Sequence, residues 1–545
     1  MKLLLLFLIL FTSLPVFAQS WTTKLDNDIR FYQATEMGVV IAGTEKSLYA
    51  IDGGSGQILW RRKDTSLDET DVAPVPGTDL LLLSFEKGDK ARIEAVDVLT
   101  GDSIWRSEKI KGAVMQISVD AGNNLLAVVL AKDAKNRARD GFKRRPLLHV
   151  LDLASGDELW KYEVGEVEMM PARWVEDSDK EVAYTLDNYY PPVFVDGRLY
   201  VFYEGVTSFD ARGGKERLRE KYRVNEDGLA LTEAEPIFSE GFIYVSGHGR
   251  VRAISRQSGD TEWEAKDLGL TPEMILAGDV LYVRTGGQFT RLKDGEIVER
   301  GPYGVSAIDA RSGKVLWRYK GADKGITNLL LPDRNTIAIA DRDELIFIDA
   351  SNGKRTSRVS HKIERPSFGL LNESGDIVIG GQNEIAAFSG GRELWRARHT
   401  PPGRGILRTI GAIAARAASL YFRYSGPGMT AFRAASAFSN LQALATAATR
   451  SRKAPLARFN RYGIASRQLD RLSRYLWHRE RLATLRGQWM YFYTGHGLVG
   501  VNVNNGRTDR EVRLPDLDER FITDEVLGTM FTASGEKLFS HGLNR

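Results

Sequence analysis

Short apolar runs recur along the chain, at 39–41, 80–83, 125–130, 199–203, 242–245, 280–283, 337–339, 377–379, 490–493 and 530–531. They are rich in β-branched, Leu and aromatic residues and are followed by Gly, Asp or Asn. Consecutive apolar positions over so short a length predict strands buried on both faces. A second element carries a fixed pattern: an apolar pair, Asp, three residues, Gly, three residues, Trp. It stands as Asp52, Gly56, Trp60; as Asp97, Gly101, Trp105; as Asp152, Gly156, Trp160; and as Asp309, Gly313, Trp317. Ser255, Gly259 and Trp263 keep the spacing with Ser for Asp, and Gly391 and Trp395 keep the last step. Weaker copies pair Asp210 with Gly214, Asp349 with Gly353 and Asn502 with Gly506, and put Leu218, Ser357 and Arg510 in the Trp place.

Strand pairs with glycine turns at a period of ~40–55 residues predict a radial β-repeat, one four-stranded blade per unit. The physical chemistry of the motif agrees. Glycine reaches the positive φ that a tight turn between two outer strands requires. The Asp or Ser before it binds amides of the same turn. The Trp then falls on the outer strand, where its ring packs between neighbouring blades. A residue repeated once per unit points to architecture rather than to one active site.

These residues resemble the tryptophan-docking motif, Ala-x-Asp-x-x-x-Gly-x-x-x-Trp, of the pyrroloquinoline-quinone-like (PQQ-like) β-propeller repeat family. Ala50 to Trp60 and Ala307 to Trp317 match it most closely. The resemblance implies an all-β fold, a single β-propeller of four-stranded blades, with eight blades expected and up to ten by repeat count. Each repeat Trp is followed by Arg, Lys or Glu, so the chain does not read as a WD40 protein. Residues 21–25 are expected to pair with the C-terminal strands and latch the ring, which removes exposed sheet edges.

The first residues read as an export signal: Lys2, an apolar stretch at 3–11, helix breakers up to Pro15, then Val16 and Ala18 before a cleavage point. The stretch is shorter than the ~20 residues that span a bilayer. The expectation is an exported, soluble protein, periplasmic or extracellular. Without cysteine it is not a lipoprotein. The resulting division is 1–18 signal peptide, 19–403 first part of the propeller, 404–487 a basic helical insertion, and 488–545 closing blades.

That insertion breaks the strand rhythm. It is Ala-rich, and Ile464, Leu469, Leu472, Leu476, Leu482 and Leu485 trace an apolar stripe at helical spacing, so an α-helical insertion is predicted. From 404 to 486 it holds 16 Lys and Arg against Asp470 and Glu480, a net of +14; the whole chain carries +4, so the remainder is at −10. Either the basic helices fold back on the acidic propeller, or they reach an anionic membrane surface or an acidic partner. Arg471, Arg474, Arg479 and Arg481 are the candidate partner-binding residues. An export signal argues against nucleic acid. A second basic stretch, 132–145, reads as a solvated excursion.

Composition narrows the chemistry. Among 545 residues, 43% apolar and 27% charged, there is no cysteine. That excludes disulfides, covalent haem attachment, thiolate zinc sites and a Cys nucleophile. The seven histidines form no H-x-x-x-H pair, and no nucleophile elbow or phosphate loop is present. Asp177 and Asp179 lack the Gly and Glu of a calcium loop. No catalytic, cofactor-binding or metal-binding residue is assigned. The expected function is a non-catalytic extracytoplasmic scaffold that binds protein partners in the cell envelope. The family resemblance extends to the propeller subunit of the outer-membrane β-barrel assembly machinery, which implies a role in outer membrane assembly. The alternative is a PQQ-dependent sugar or alcohol dehydrogenase without the cysteine ring or haem, with PQQ and calcium as its cofactors.

Overall fold

The computed structural model describes residues 21–399 and 483–542 apart from short stretches, the longest being 138–142, 172–180, 292–296 and 514–520. The chain folds into a β-propeller of ten four-stranded blades. Ten is the upper count from the repeats, above the eight expected. Blade 1 runs Ile29–Ala34, Val39–Thr44, Ser47–Asp52 and Ile58–Lys63 from the innermost strand outward. Blades 2 to 9 occupy 72–106, 113–163, 193–221, 237–265, 273–319, 330–360, 368–398 and 483–513 in the same antiparallel order. Blade 10 takes three strands from 521–542 and its outermost, Thr22–Lys24, from the N-terminal segment. Thr22 pairs with Phe539 and Lys24 with Lys537, so a single sheet joins the two ends of the described chain.

The apolar runs are the second strands, and they are buried along their length because each blade is covered on both faces. Leu125–Ala131 is buried at all seven positions. The core is therefore a series of slabs between blades. Phe31, Ile41 and Trp60 of blade 1 meet Leu81 and Leu83 of blade 2. Tyr244 and Trp263 of blade 5 meet Leu281 and Ile308 of blade 6. Tyr32 and Tyr49 of blade 1 meet Phe531 and Leu538 of blade 10, which closes the ring. Each large apolar side chain so buried contributes about 1.5–3 kcal/mol.

Among the described residues the only helices are two short 3-10 turns, Glu69–Asp71 and Ala121–Asn123. The insertion at 404–482, with Arg471, Arg474, Arg479 and Arg481, lies outside the described residues, as do the signal segment 1–18 and Asp177 and Asp179. Where the expected insertion is described, the helical reading is corrected. Ala483–Arg486 is the innermost strand of blade 9, with Leu485 opposite Met490. Two leucines three apart suit a helix locally, but the free edge of Trp489–Thr494 supplies strand pairing there.

The basic stretch at 132–145 is also not a solvated loop. Lys135–Arg137 pairs with Glu181–Thr185, and Lys143–Arg144 with Val167–Glu168. The acidic crossover that follows blade 3 thus folds onto the basic hairpin, and Arg145 lies 3.6 Å from Glu163.

Candidate interaction surface

The repeated Asp, Gly and Trp residues build one inter-blade lock. In the turn between third and fourth strands the Asp carboxylate accepts backbone N–H groups: Asp52 from Ser55 at 2.7 Å, Asp97 from Thr100 at 2.9 Å, Asp309 from Ser312 at 2.8 Å. Asp152 does the same for Ala154. Bonds from the Ser312 hydroxyl and amide hold the Asp309 carboxyl below its ordinary range. The glycine amide returns to the Asp carbonyl, and the glycine sits at positive φ, +75° at Gly56 and +73° at Gly313.

The Trp of one blade lies flat on the turn glycine of the next. Trp60 covers Gly101, Trp105 covers Gly156, Trp160 covers Gly214, Trp263 covers Gly313, Trp317 covers Gly353 and Trp395 covers Gly506. A methyl group on any of these glycines would meet the ring at 2.4–2.8 Å. The indole N–H donates to the carbonyl just after the turn Asp: Trp60 to Val98 at 2.7 Å, Trp105 to Leu153 at 2.6 Å, Trp317 to Ala350 at 3.0 Å. Trp21 completes the ring. It covers Gly56 and donates to Gly53 at 3.0 Å, acting as the lock of blade 10 although it stands at the other end of the sequence. At blade 5 Gly259 receives Leu218 instead.

The residue after the Trp has its own role, which sequence reasoning did not reach. It points to the opposite side of the strand and reaches back to the preceding blade. Arg318 donates to the Lys266 and Asp267 carbonyls, both at 3.1 Å, and Arg396 to the His361 carbonyl at 2.7 Å. Arg61 binds Asp26, and Arg219, next to Leu218, reaches Tyr162. The run of Arg and Lys after Trp was the available signal.

A second ring of polar staples lies on the inner strands. Gln33 donates to the Glu69 and Val72 carbonyls, and Gln116 to those of Leu186 and Tyr189. Tyr190 reaches Glu233, Glu273 accepts from Leu329, and Asn328 exchanges two bonds with Gly369 at 2.9 Å each. Each joins one blade to the next. Glu273 also holds the fully buried Arg284 at 2.7 Å. Burial pushes the Glu233 carboxyl up to about 8, against hydrogen bonds from Ser246, the His248 amide and Thr232, and the Glu226 carboxylate raises it further. A neutral carboxyl this enclosed fastens the crossover between blades rather than meeting a substrate.

The outer rim is different. Every outermost strand pairs on one side only. The exposed large hydrophobics among the described residues are Ile58, Leu59, Ile104, Leu316 and Leu394, all on outermost strands, at 38–52% exposure. Four of them immediately precede a docking Trp. They share their side of the strand with the backward-reaching Arg, so each lies in the open wedge toward the preceding blade. Unpaired edges flanked by apolar side chains are suited to receiving an extended segment of another chain.

No group of three or more His, Asp or Glu among the described residues is placed to hold a metal ion. With no cysteine for a vicinal ring either, these residues do not fit a quinone and calcium pair. No helix among them is long and apolar enough to cross a membrane.

The model of the family described as outer membrane protein assembly factor BamB matches residues 172–299 and 303–461, more than half of the chain. No curated protein matches. Among solved structures, BamB from Moraxella catarrhalis is 17% identical over 68% of this chain and 96% of its own, with a TM-score of 0.33. The computationally designed Ika8 protein is 13% identical over 66% and 95%, at 0.34. The quinohemoprotein alcohol dehydrogenase ADHIIG from Pseudomonas putida HK5 is 12% identical over 72% and 81%, at 0.30. Likenesses at this level carry no functional argument.

Proposed function

Because the chain belongs to the PQQ-like β-propeller repeat family, whose matching model is that of an outer membrane assembly factor, we propose that it is a non-catalytic extracytoplasmic scaffold. Its partners are proteins of the cell envelope engaged in outer membrane protein assembly. One structural observation supports this reading above the others: the exposed large hydrophobics of the described propeller lie together on its unpaired outer edges. Function then rests on display. The Trp locks, arginine staples and inner polar ring hold the blades rigid, so the edges are presented in fixed register and a partner strand binds without ordering the scaffold. The basic segment 404–487, with Arg471, Arg474, Arg479 and Arg481, adds a second contact, to an anionic membrane surface or an acidic partner.

The test is crosslinked capture from cell envelopes with the full chain and with a rim variant, Leu59→Ser, Ile104→Ser, Leu316→Ser and Leu394→Ser combined. Recovery of outer-membrane assembly proteins by the native chain and their loss with the variant is expected. Equal recovery by both, or no reproducible partner, overturns the proposal. A spectral change on adding PQQ and calcium, with dye reduction by sugars or alcohols, would overturn it in favour of a dehydrogenase.

A further inference from the structure

The boundary between blades 7 and 8 lacks both halves of the lock. Ser357 takes the Trp place on the outermost strand of blade 7, Arg355–Ser360, and is exposed. The receiving turn of blade 8 is shortened to two residues, Gly390 and Gly391, at φ +53° and +81°, with Ser389 paired directly to Arg392. A methyl group on Gly391 would meet only Val359, at an ordinary 3.5 Å, where the other turn glycines are pressed by an indole. Leu394, on the outermost strand Arg392–Arg398 of blade 8, is the most exposed of the large hydrophobics at 52%. It shares a side with Arg396, which reaches back to the His361 carbonyl, so Leu394 faces this unfilled wedge.

The floor of the wedge is fixed. His361 is fully buried; its Nδ1 accepts from the Ile363 amide at 3.0 Å and its Nε2 lies 3.0 Å from the Asp341 carbonyl. The walls are basic. Lys354, Arg355 and Arg392 have no ion pair among the described residues, while Arg358 is matched by Glu344. Arg355–Ser360 pairs inward only, so its outer edge offers an unused row of backbone donors and acceptors.

We infer that this wedge is a docking slot for an extended acidic segment of a partner protein, which adds as a strand beside Arg355–Ser360 and seats a Trp or other aromatic side chain where the chain's own indole is missing. The shape argument is that seven other turn glycines of this ring are each covered by an indole. The charge argument is complementarity: carboxylates on the segment meet Lys354, Arg355 and Arg392. The inference deepens the scaffold reading and rests on it.

The test uses the full chain and a labelled, end-capped ten-residue peptide of Asp, Glu and Thr around one central Trp, read by fluorescence anisotropy. Saturable binding is expected, weakened at least ten-fold by Trp→Ala in the peptide, and weakened again by raising salt. A peptide with Lys for the acids is expected not to bind. Ser357→Trp, which fills the slot, is expected to abolish binding without lowering thermal stability, and Arg392→Glu to weaken it at least ten-fold. Leu59→Ser, on blade 1, is expected to leave it unchanged. Absence of binding at millimolar peptide, equal binding by Ser357→Trp, equal binding of the Ala or Lys peptides, or self-association of the chain through Leu394 overturns the slot. Envelope capture separates the two readings: partners captured equally by the native chain and by Ser357→Trp refute the slot and leave the scaffold standing.

Discussion

Replacing Trp21 by Ala removes the one lock that the N-terminal strand supplies. Three interactions depend on the side chain: its stack on Gly56, its 3.0 Å bond to the Gly53 carbonyl and its contact with Phe531 at 5.7 Å between ring centres. A fully buried Trp→Ala change costs about 3–5 kcal/mol. Trp21 is half-buried, so we take about 3 kcal/mol, of which the indole hydrogen bond supplies about 1. The strand itself pairs over three residues, Thr22–Lys24, and has little else to hold it. At about 1.4 kcal/mol per decade, its open population rises about 100-fold. Native-state hydrogen exchange reads this directly: amides of Thr22–Lys24 and Lys537–Gly542 lose about two decades of protection, while Arg198–Val201 in blade 4 keeps its own. Trp21→Phe, which keeps a stack and loses the N–H, is expected to lose about one decade. Unchanged exchange at 22–24 in Trp21→Ala would refute the claim that this indole closes the ring.

Gly313→Ala forces a side chain into positive φ and within 2.5 Å of the Trp263 ring, so about 2–4 kcal/mol of stability is lost and the Trp263 fluorescence environment changes; Gly278→Ala, also at positive φ but with open space around it, is expected to lose only about 1–2 kcal/mol. Arg284→Ala leaves the Glu273 carboxylate buried without its cation, and denaturant titration is expected to show a loss of about 3–5 kcal/mol. Glu233 has its carboxyl raised from the ordinary carboxylate range to about 8, so the folded chain keeps a proton that the unfolded chain gives up. Its contribution to stability is complete at pH 4 and falls as pH rises toward 8, and Glu233→Gln is expected to flatten that fall in denaturation midpoints measured from pH 5 to 8. A Gln variant whose midpoint falls as steeply as the native one counts against this.

The architecture was readable because its signals are local. The Asp, Gly and Trp of one turn lie within nine residues, and the apolar second strands are continuous runs. Even the substitutions had meaning: Leu218, Ser357 and Arg510 mark places where the lock is altered, and Arg510 stacks on Trp489 of its own blade, 4.1 Å from the ring centre. The final Gly391 step was less informative, because its turn is two residues shorter than the motif. What the sequence did not disclose depends on distant partners. Gln116 meets carbonyls about seventy residues away, and Arg318 and Arg396 reach the preceding blade. No local period encodes such contacts. The pairing of 132–145 with an acidic crossover was hidden for the same reason, although the charge balance of the two segments was visible. The candidate partner residues at 471–481 lie outside the described chain, and the exposed rim residues were not singled out, because an isolated Leu before Trp looks like any other strand residue.

The most direct test of the central claim is site-specific photocrosslinking in cells, with the photoreactive side chain placed at Leu59, Ile104, Leu316 and Leu394 on the rim, and at Ser55 and Ser312 in the exposed turns as controls. The scaffold account predicts discrete adducts with envelope proteins of outer membrane assembly from rim positions and none from the turns. Adducts from the turns alone, or none from any rim position, would contradict it.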